Sequence, residues 1–302
     1  MYEQIQRNTT ASWIVIALTS LLLIGLGWVF GQMFGGGWTG VIVAAAIASV
    51  MGLVGYYGSD RIILAVSGAH LATKEDNPYL YHTVEGLSIA AGIPVPKTYI
   101  IEDSALNAFA TGRDPEHASI AVTRGLLDKL NRVELEGVIA HEISHIKNYD
   151  IRLATITVIM VGTIVLLADW IKRIMWWGRG TGSRSKKRDG RSGDGGGEAI
   201  LLTFGVILAI LAPIFAQLLR FALSRRREFL ADADGALLTR YPEGLASALE
   251  KISQDEEPLE AANRATASLY IVNPFKSAHD GSQGLFSTHP PIQKRIEALR
   301  KM

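Results

Sequence analysis

The sequence predicts an α+β fold that is mostly helical, contains a small β-sheet and carries two membrane-inserted helical hairpins. Three features predict it. Four uncharged apolar runs occur in two pairs, 11–34 with 38–57 and 153–168 with 199–219. Short β-type runs lie between the two pairs. A His-Glu-x-x-His motif with helical spacing follows those runs at 141–145.

The composition of the chain limits its structural and functional class. At 302 residues it is long enough for two structural units, and 48% of its residues are hydrophobic. The net charge of +1 gives no reason to expect a nucleic-acid partner. The sequence has no cysteine, which excludes disulfides, thiolate metal sites and cysteine nucleophiles. Histidine and carboxylate side chains are therefore the ligands that a metal site here would use.

Residues 1–58 are predicted to form an N-terminal transmembrane hairpin. The runs 11–34 and 38–57 each supply about the 20 apolar residues that a bilayer crossing needs, and three consecutive glycines between them predict a turn. A cleaved signal peptide would have a shorter apolar core and a basic start. A buried hairpin of a soluble protein is the alternative, and the length of the uncharged runs argues against it.

Residues 59–150 are predicted to form the first part of a catalytic domain. Helical spacing extends over 76–92. Three β-type runs suggest a small, mostly antiparallel sheet, and they span 97–102, 106–112 and 119–123. Asn131 and Glu134 have the spacing of an N-cap and its capping-box partner, so the motif helix is expected to begin there.

The motif residues are His141, Glu142 and His145. Two histidines four positions apart lie on one helical face, so both can reach one metal ion, and Glu142 can take a proton from a water molecule at that site. A tetrahedral zinc ion needs a third protein ligand and leaves the fourth position for water. A chance match is the alternative, but a charged glutamate between two histidines has no packing rationale on an apolar helix.

Residues 151–223 are predicted to form a second hydrophobic hairpin, whose loop at 178–197 is rich in Gly, Ser and Arg and should be disordered. Residues 224–302 then form the second part of the catalytic domain. Glu228 and Asp232 lie four positions apart, on one helical face. Glu228 is either the third metal ligand or an ion-pair partner of the neighbouring arginines, and Asp232 would orient a ligand histidine.

Four sequence blocks resemble the HtpX family of membrane-bound zinc metalloproteases and, more distantly, the CAAX prenyl proteases, which are both gluzincins. The blocks are Asn107–Gly112, Ala140–Asp150, Ser224–Asp232 and Ser287–Ile296. The resemblance covers nearly the whole chain. It implies a zincin-like metalloprotease domain with a zinc-dependent endopeptidase activity.

The same resemblance implies a role for each residue of the metal site. It implies that one Zn2+ ion per subunit is bound by His141, His145 and Glu228. Glu142 is then the general base, and Asp232 matches the aspartate that orients a ligand histidine.

The resemblance also implies a substrate-binding region. A peptide would lie along the edge strand formed by Asn107, Ala108, Phe109, Ala110 and Thr111. His289 and Arg295 would contact the substrate carbonyl or stabilise the oxyanion. The alternative for His289 is packing at the start of a helix, and the alternative for Arg295 is an ordinary surface position.

The implied function is proteolytic quality control under stress, on unfolded or misfolded membrane proteins in the lipid bilayer of the inner (plasma) membrane. A CAAX-type prenyl-protein processing endoprotease and a non-catalytic membrane scaffold are the alternatives. Basic residues flank the catalytic side of the first hairpin and are missing from its turn, so a multi-pass protein with a cytoplasmic catalytic domain is expected. The basic loop at 178–197 disagrees with this rule, which leaves open whether the second hairpin crosses the membrane.

Overall fold

The described part of the chain is mostly helical. The structure is a computed structural model. It describes residues 2–33, 35–163, 225–262, 266–272, 274 and 290–302. The second predicted hairpin beyond residue 163, with its loop at 178–197, lies outside the described residues, and so does His289.

The first two helices form a hairpin where the sequence predicts one. Helix α1 (Tyr2–Met33) and helix α2 (Trp38–Tyr57) pack side by side, and both are long and apolar enough to cross a membrane. A Cβ atom at Gly27 would lie 2.5 Å from the carbonyl oxygen of Gly40. Glycine at this position therefore lets the two backbones touch, as is common between membrane helices.

The sheet has four strands in the order β1-β2-β4-β3. The strands are β1 (His70–Leu71), β2 (Lys97–Ile101), β3 (Ala108–Gly112) and β4 (Ala118–Thr123). β2 and β4 are parallel and the other two pairs are antiparallel, so the small sheet is confirmed but is mixed, and of the two pairs among the predicted strands only β3 with β4 is antiparallel. The sequence did not predict β1, because its two residues are both exposed and show no alternation.

The helix predicted over 76–92 is α4 (Pro78–Ala91). It begins at Asn77, whose side chain accepts a hydrogen bond from the backbone N–H of Leu80, and it ends at Gly92 with a φ of 70°. The other helices after the hairpin are α3 (Ser59–Val66), α5 (Arg124–Lys129), α6 (Arg132–Lys147), α7 (150–163), α8 (Arg225–Thr239), α9 (Pro242–Gln254) and α10 (Ile292–Leu299). A short 3-10 turn, Pro115–His117, precedes β4.

Helix α6 lies at the centre of the main core. It contacts strand β3 and helices α4, α8 and α9. Ile139 and Ile143 of α6 are fully buried in one cluster with Ile120 of β4 and Leu249 of α9. A side chain on α6 is consequently fixed by packing from several elements, which is what a positioned site requires.

Helix α7 connects this core to the hairpin of α1 and α2. Leu153, Ile156 and Met160 are buried in a cluster with Val15 of α1, and Tyr56 of α2 packs against it. The start of the second predicted hairpin therefore packs against the first one.

Candidate metal centre

Helix α6 presents His141, Glu142 and His145 from a rigid and buried element. Its N-terminus is closed by a capping box. The Asn131 side chain accepts from the backbone N–H of Glu134, and the Glu134 carboxylate accepts from the backbone N–H of Asn131. The predicted start of the helix is thus confirmed, and the cap satisfies two N–H groups of the first turn.

The two histidine rings meet through their Nε2 atoms, which lie 3.2 Å apart. Glu228 reaches the same point from α8, with Oε2 3.9 Å from His141 Nε2 and Oε1 3.6 Å from His145 Nε2. Ligand atoms of the three residues all lie within 4.8 Å of one another. Two ligands held about 2.05 Å from a tetrahedral zinc ion are about 3.3 Å apart, so the cluster has the size of such a site.

The hydrogen-bonding surroundings of the two rings show why the cluster fits a cation. His141 Nδ1 lies 2.9 Å from Asp232 Oδ1, although the angle of this contact is outside the range of a hydrogen bond. His145 Nδ1 lies 3.0 Å from Asp150 Oδ2. An ionised carboxylate only accepts, so each contact favours a proton on Nδ1. The two Nε2 atoms then face each other as unprotonated acceptors, which a shared cation makes favourable.

Without a metal ion, the ionisation of the two rings differs from this arrangement, because His145 then holds a second proton. Burial lowers the pKa of His141, against the effect of Asp232. Burial would also lower the pKa of His145, but Asp150 and Glu228 outweigh it and raise that pKa to about 9. The pair therefore accommodates one positive charge between its two rings.

Glu142 stands beside this cluster with only 2% of its surface exposed. Burial raises the pKa of Glu142 to about 7, and the Glu228 carboxylate adds to the increase. His145 and a backbone hydrogen bond from Ala110 act in the opposite direction. A carboxyl group with this pKa can both accept and return a proton near neutral pH.

Arg295 reaches the same centre from α10 and is 1% exposed, so the alternative of a surface arginine is wrong. Its Nε and Nη2 donate to the two oxygens of Asp232. Its Nη1 lies 3.4 Å from Glu228 Oε2, and Nη2 lies 3.4 Å from His141 Nε2. The arginine thus contacts the Glu228 carboxylate, the His141 ring and the aspartate behind that ring.

Strand β3, the predicted substrate strand, lies at the edge of the sheet beside the cluster. Thr123 donates its backbone N–H to the Asn107 carbonyl of the antiparallel partner at 3.0 Å. Hydrogen-bonded and non-hydrogen-bonded residue pairs alternate along two antiparallel strands. The backbone N–H and C=O groups of Ala108, Ala110 and Gly112 therefore face away from β4. These groups form the outer edge of the sheet.

One end of that edge is already paired within the protein. Ile271 donates its backbone N–H to the Ala108 carbonyl at 3.0 Å. The Asn107 side chain donates to the Val272 carbonyl at 3.1 Å, and Arg295 Nη1 donates to the Ile271 carbonyl at 3.1 Å. The segment 266–272 therefore covers the edge at Ala108.

Two further residues of the centre were not predicted from the sequence. Asp150 faces His145 because Tyr149, at a φ of 61°, reverses the chain after α6. Asn8 of α1 donates to Asp150 Oδ1 at 2.6 Å. The five-residue spacing from His145 to Asp150 was the one local signal, and nothing in the sequence around Asn8 points to the site.

Residues 74–302 match peptidase family M48. Relatives named Protease HtpX homolog match over the whole chain. The one from Dictyoglomus thermophilum is 52% identical over 301 residues, covering 100% of this chain and 94% of its own length. Those from Thermoanaerobacter pseudethanolicus and Listeria innocua serovar 6a are 46% and 45% identical, covering 100% of this chain and 98% and 100% of their own.

A solved structure, described as the crystal structure of S. mikatae Ste24p, has a similar fold. The TM-score is 0.51 at 20% sequence identity, over 95% of this chain and 66% of that chain. At this level of identity the similarity concerns the fold alone.

Proposed function

The chain belongs to peptidase family M48 and is a membrane metalloprotease. We propose that it is a zinc endopeptidase that hydrolyses peptide bonds of misfolded or damaged membrane proteins. The observation that carries the proposal is the convergence of His141, His145 and Glu228 beside the buried Glu142. A non-catalytic scaffold would have no use for a carboxyl group with a pKa of about 7 at this place.

His141 and His145 would hold the zinc ion through Nε2, and Glu228 through a carboxylate oxygen. A zinc ion bound there would polarise a water molecule and the scissile carbonyl. Asp232 and Asp150, on the far side of the two rings, keep the Nε2 lone pairs directed to one point. The donor set suits zinc, which accepts imidazole and carboxylate ligands.

Glu142 carries the proton transfers in this proposal. Its carboxylate accepts the proton of the attacking water and then returns that proton to the leaving amine. Before a metal ion binds, burial raises the pKa of Glu142 to about 7, which is the range for a group that takes up and releases protons near neutral pH. The hydrogen bond from the Ala110 backbone restricts the orientation of the carboxylate.

We assign the peptide substrate to the outer edge of β3, from Asn107 to Thr111, where an extended chain adds a strand. The substrate would share this edge with Ile271, which holds the Ala108 carbonyl, and with Glu142 and Thr155, which accept from the backbone N–H groups of Ala110 and Gly112. A set of peptides, each N-methylated at one backbone position, tests the assignment. Strand pairing predicts that blocked and tolerated positions alternate along the peptide, because only every second N–H faces β3. Uniform tolerance would contradict it.

We propose that the protein is a multi-pass protein of the inner membrane, made of the hairpin 1–58, the hairpin 151–223 and a cytoplasmic catalytic domain from 59–150 and 224–302. Aromatic and basic side chains at one end of the first hairpin support the position of the membrane surface. Trp13 stacks on Tyr56 at 5.6 Å between ring centroids, and the Arg152 guanidinium lies 5.0 Å from the Tyr56 ring.

The absence of cysteine makes this orientation easy to test. Single cysteines at Gly36, in the hairpin turn, and at Glu75, in the catalytic domain, would be labelled with a membrane-impermeant maleimide in intact cells. The proposal predicts labelling at Gly36→Cys and protection of Glu75→Cys until the membrane is opened. The reverse pattern would place the catalytic domain outside the cell.

The substrate class is tested in two steps. Purified, zinc-loaded protein should cleave unfolded casein, and a chelator should stop the cleavage. A Glu142→Gln protein expressed in its native membrane should then retain uncleaved substrates, which mass spectrometry identifies. Capture of prenylated peptides in place of misfolded membrane proteins would favour the processing endoprotease instead.

A further inference from the structure

We infer that the N-terminal membrane helix is part of the metal centre: Asn8 of α1 holds Asp150, and Asp150 fixes the ring of His145. The inference deepens the proposed function and rests on it, because its subject is a ligand of the proposed zinc ion. Asn8 and Asp150 act as positioning residues, since neither contacts the cluster of ligand atoms directly.

The Asn8 side chain directs both of its polar atoms to the catalytic domain. Its Nδ2 donates to Asp150 Oδ1 at 2.6 Å and to the Asn148 carbonyl at 2.9 Å. Its Oδ1 accepts from Arg227 Nη1 at 3.4 Å. The side chain is 2% exposed, and both amide protons and the amide oxygen have partners.

Two of the three partners of Asn8, Asn148 and Arg227, belong to the two helices that would supply the metal ligands. Asn148 is the C-cap of α6, which carries both histidines. Arg227 directly precedes Glu228 in α8. One side chain of α1 thus joins the end of one ligand-bearing helix to the start of the other.

Asp150 divides its two oxygens between the ring and the membrane helix. Oδ2 lies 3.0 Å from His145 Nδ1, while Oδ1 accepts from Asn8 and lies 3.6 Å from Arg227 Nε. Rotation of this carboxylate away from His145 would break its bond to Asn8 as well. The carboxylate is therefore held by α1 in the orientation that directs His145 Nε2 to the cluster.

The alternative is that Asn8 merely anchors α1 to the domain. An anchor would change stability and leave metal affinity unchanged, so metal affinity separates the two roles. The full chain in detergent micelles would be stripped of metal, and its apparent zinc affinity measured by competition with a chromophoric chelator. The variants are Asn8→Leu, Asp150→Ala and the double substitution. Leucine has nearly the shape of asparagine and is well tolerated in a membrane helix.

Thr19 provides a matched control on the same helix. It lies eleven residues after Asn8, so about three turns along and on nearly the same face. Thr19 is 2% exposed, and its hydroxyl has no hydrogen-bond partner within the described residues. Thr19→Val should therefore bind zinc like the unaltered protein.

We expect Asp150→Ala to weaken zinc binding by about 10- to 100-fold. Asn8→Leu should weaken binding in the same direction by a smaller factor that still exceeds the effect of Thr19→Val. The double variant should bind no more weakly than Asp150→Ala alone, because both act through one contact. The visible absorption of bound Co2+ should change in shape in Asn8→Leu, which a purely structural anchor would not produce.

Two results would overturn the inference: zinc affinity of Asn8→Leu equal to that of Thr19→Val, or losses in the double variant that multiply. If Asn8→Leu does not fold, Asn8→Gln keeps an amide but displaces it by one methylene, and it carries the same expectation. A different result would contradict the proposed function itself. In that case the unaltered protein would not bind zinc, or Glu228→Ala would bind it equally well.

Discussion

Arg295 and Asp232 form a bidentate ion pair that is almost completely buried. Arg295 Nε lies 2.9 Å from Asp232 Oδ2 and Nη2 lies 2.7 Å from Oδ1, with each side chain 1% exposed. Burial alone would raise the pKa of Asp232, but Arg295 and the His141 ring outweigh it and lower that pKa to about 2. The arginine therefore keeps the carboxylate behind His141 ionised.

We predict that Arg295→Lys weakens zinc binding and lowers the melting temperature. Lysine keeps the positive charge but cannot form the two parallel hydrogen bonds of a guanidinium, and a lost hydrogen bond to a charged group costs about 1.5–3 kcal/mol. Chelator competition and a thermal melt of the purified protein measure the two effects. Lys294→Arg, at the exposed neighbouring position, is the control.

The same variant tests the oxyanion role that the family resemblance implies for Arg295. If Arg295→Lys lowers kcat but leaves zinc affinity and melting temperature unchanged, Arg295 acts on the substrate. A fall in zinc affinity supports the positioning role that its contacts with Asp232 and Glu228 favour.

Removal of Glu228, the proposed third ligand, should abolish zinc binding. Glu228→Ala leaves two histidine ligands, and the zinc content is expected to fall from about one ion per chain to near zero after dialysis. Elemental analysis measures it, with the exposed Glu257→Ala as control. Full zinc occupancy in Glu228→Ala would remove this residue from the ligand set.

Glu142→Gln should separate metal binding from catalysis. Glutamine has the size of glutamate but cannot take up a proton, so we expect a loss in kcat of about 100-fold or more with unchanged zinc content. Cleavage of unfolded casein, normalised to bound zinc, provides the measurement. Proteolysis at the original rate would show that another group moves the proton.

The capping box of α6 predicts a pH dependence of stability. Burial would raise the pKa of Glu134, but hydrogen bonds from Lys251, Ser247 and the Asn131 backbone outweigh it and lower that pKa. A lowered folded-state pKa stabilises the fold above the unfolded-state pKa, and the stabilisation is lost as pH falls through the folded-state pKa. The effect therefore lies on the acid side of the ordinary glutamate pKa of 4.5.

Glu134→Gln should lower the melting temperature at pH 7, because the hydrogen bonds to a charged group are each worth about 1.5–3 kcal/mol. The difference from the unaltered protein should shrink as the pH falls below about 4.5. Melting curves across pH 3–7 test this, with the exposed Glu297→Gln as a reference. A constant difference across that range would exclude Glu134 as the source of the pH dependence.

The cluster of His141, His145 and Glu228 was accessible from the sequence because its signals are local. His141 and His145 are one helical turn apart, and Glu228 begins a second motif with Asp232, so each half is visible in a few residues. The capping box at Asn131 has the same local character. Apolar run length likewise predicted α1 and α2.

The residues behind the ligands could not be predicted, because they depend on docking between distant segments. Asn8 meets Asp150 across 142 positions of the chain, and the contact exists only because α1 packs beside α7. The occupied edge at Ala108 has the same origin, since Ile271 follows it by more than 160 positions. Sequence patterns record spacing along an element, whereas these contacts depend on how elements pack.

We propose that zinc held by His141, His145 and Glu228 enables Glu142 to cleave peptide bonds. Stepwise addition of zinc to the metal-stripped full chain, with casein cleavage recorded at each step, tests it most directly. We predict that cleavage is lost on stripping, returns in proportion to added zinc until about one ion per chain is bound, and never returns in Glu142→Gln. Undiminished cleavage by the stripped protein, or restored cleavage in Glu142→Gln, would contradict the claim.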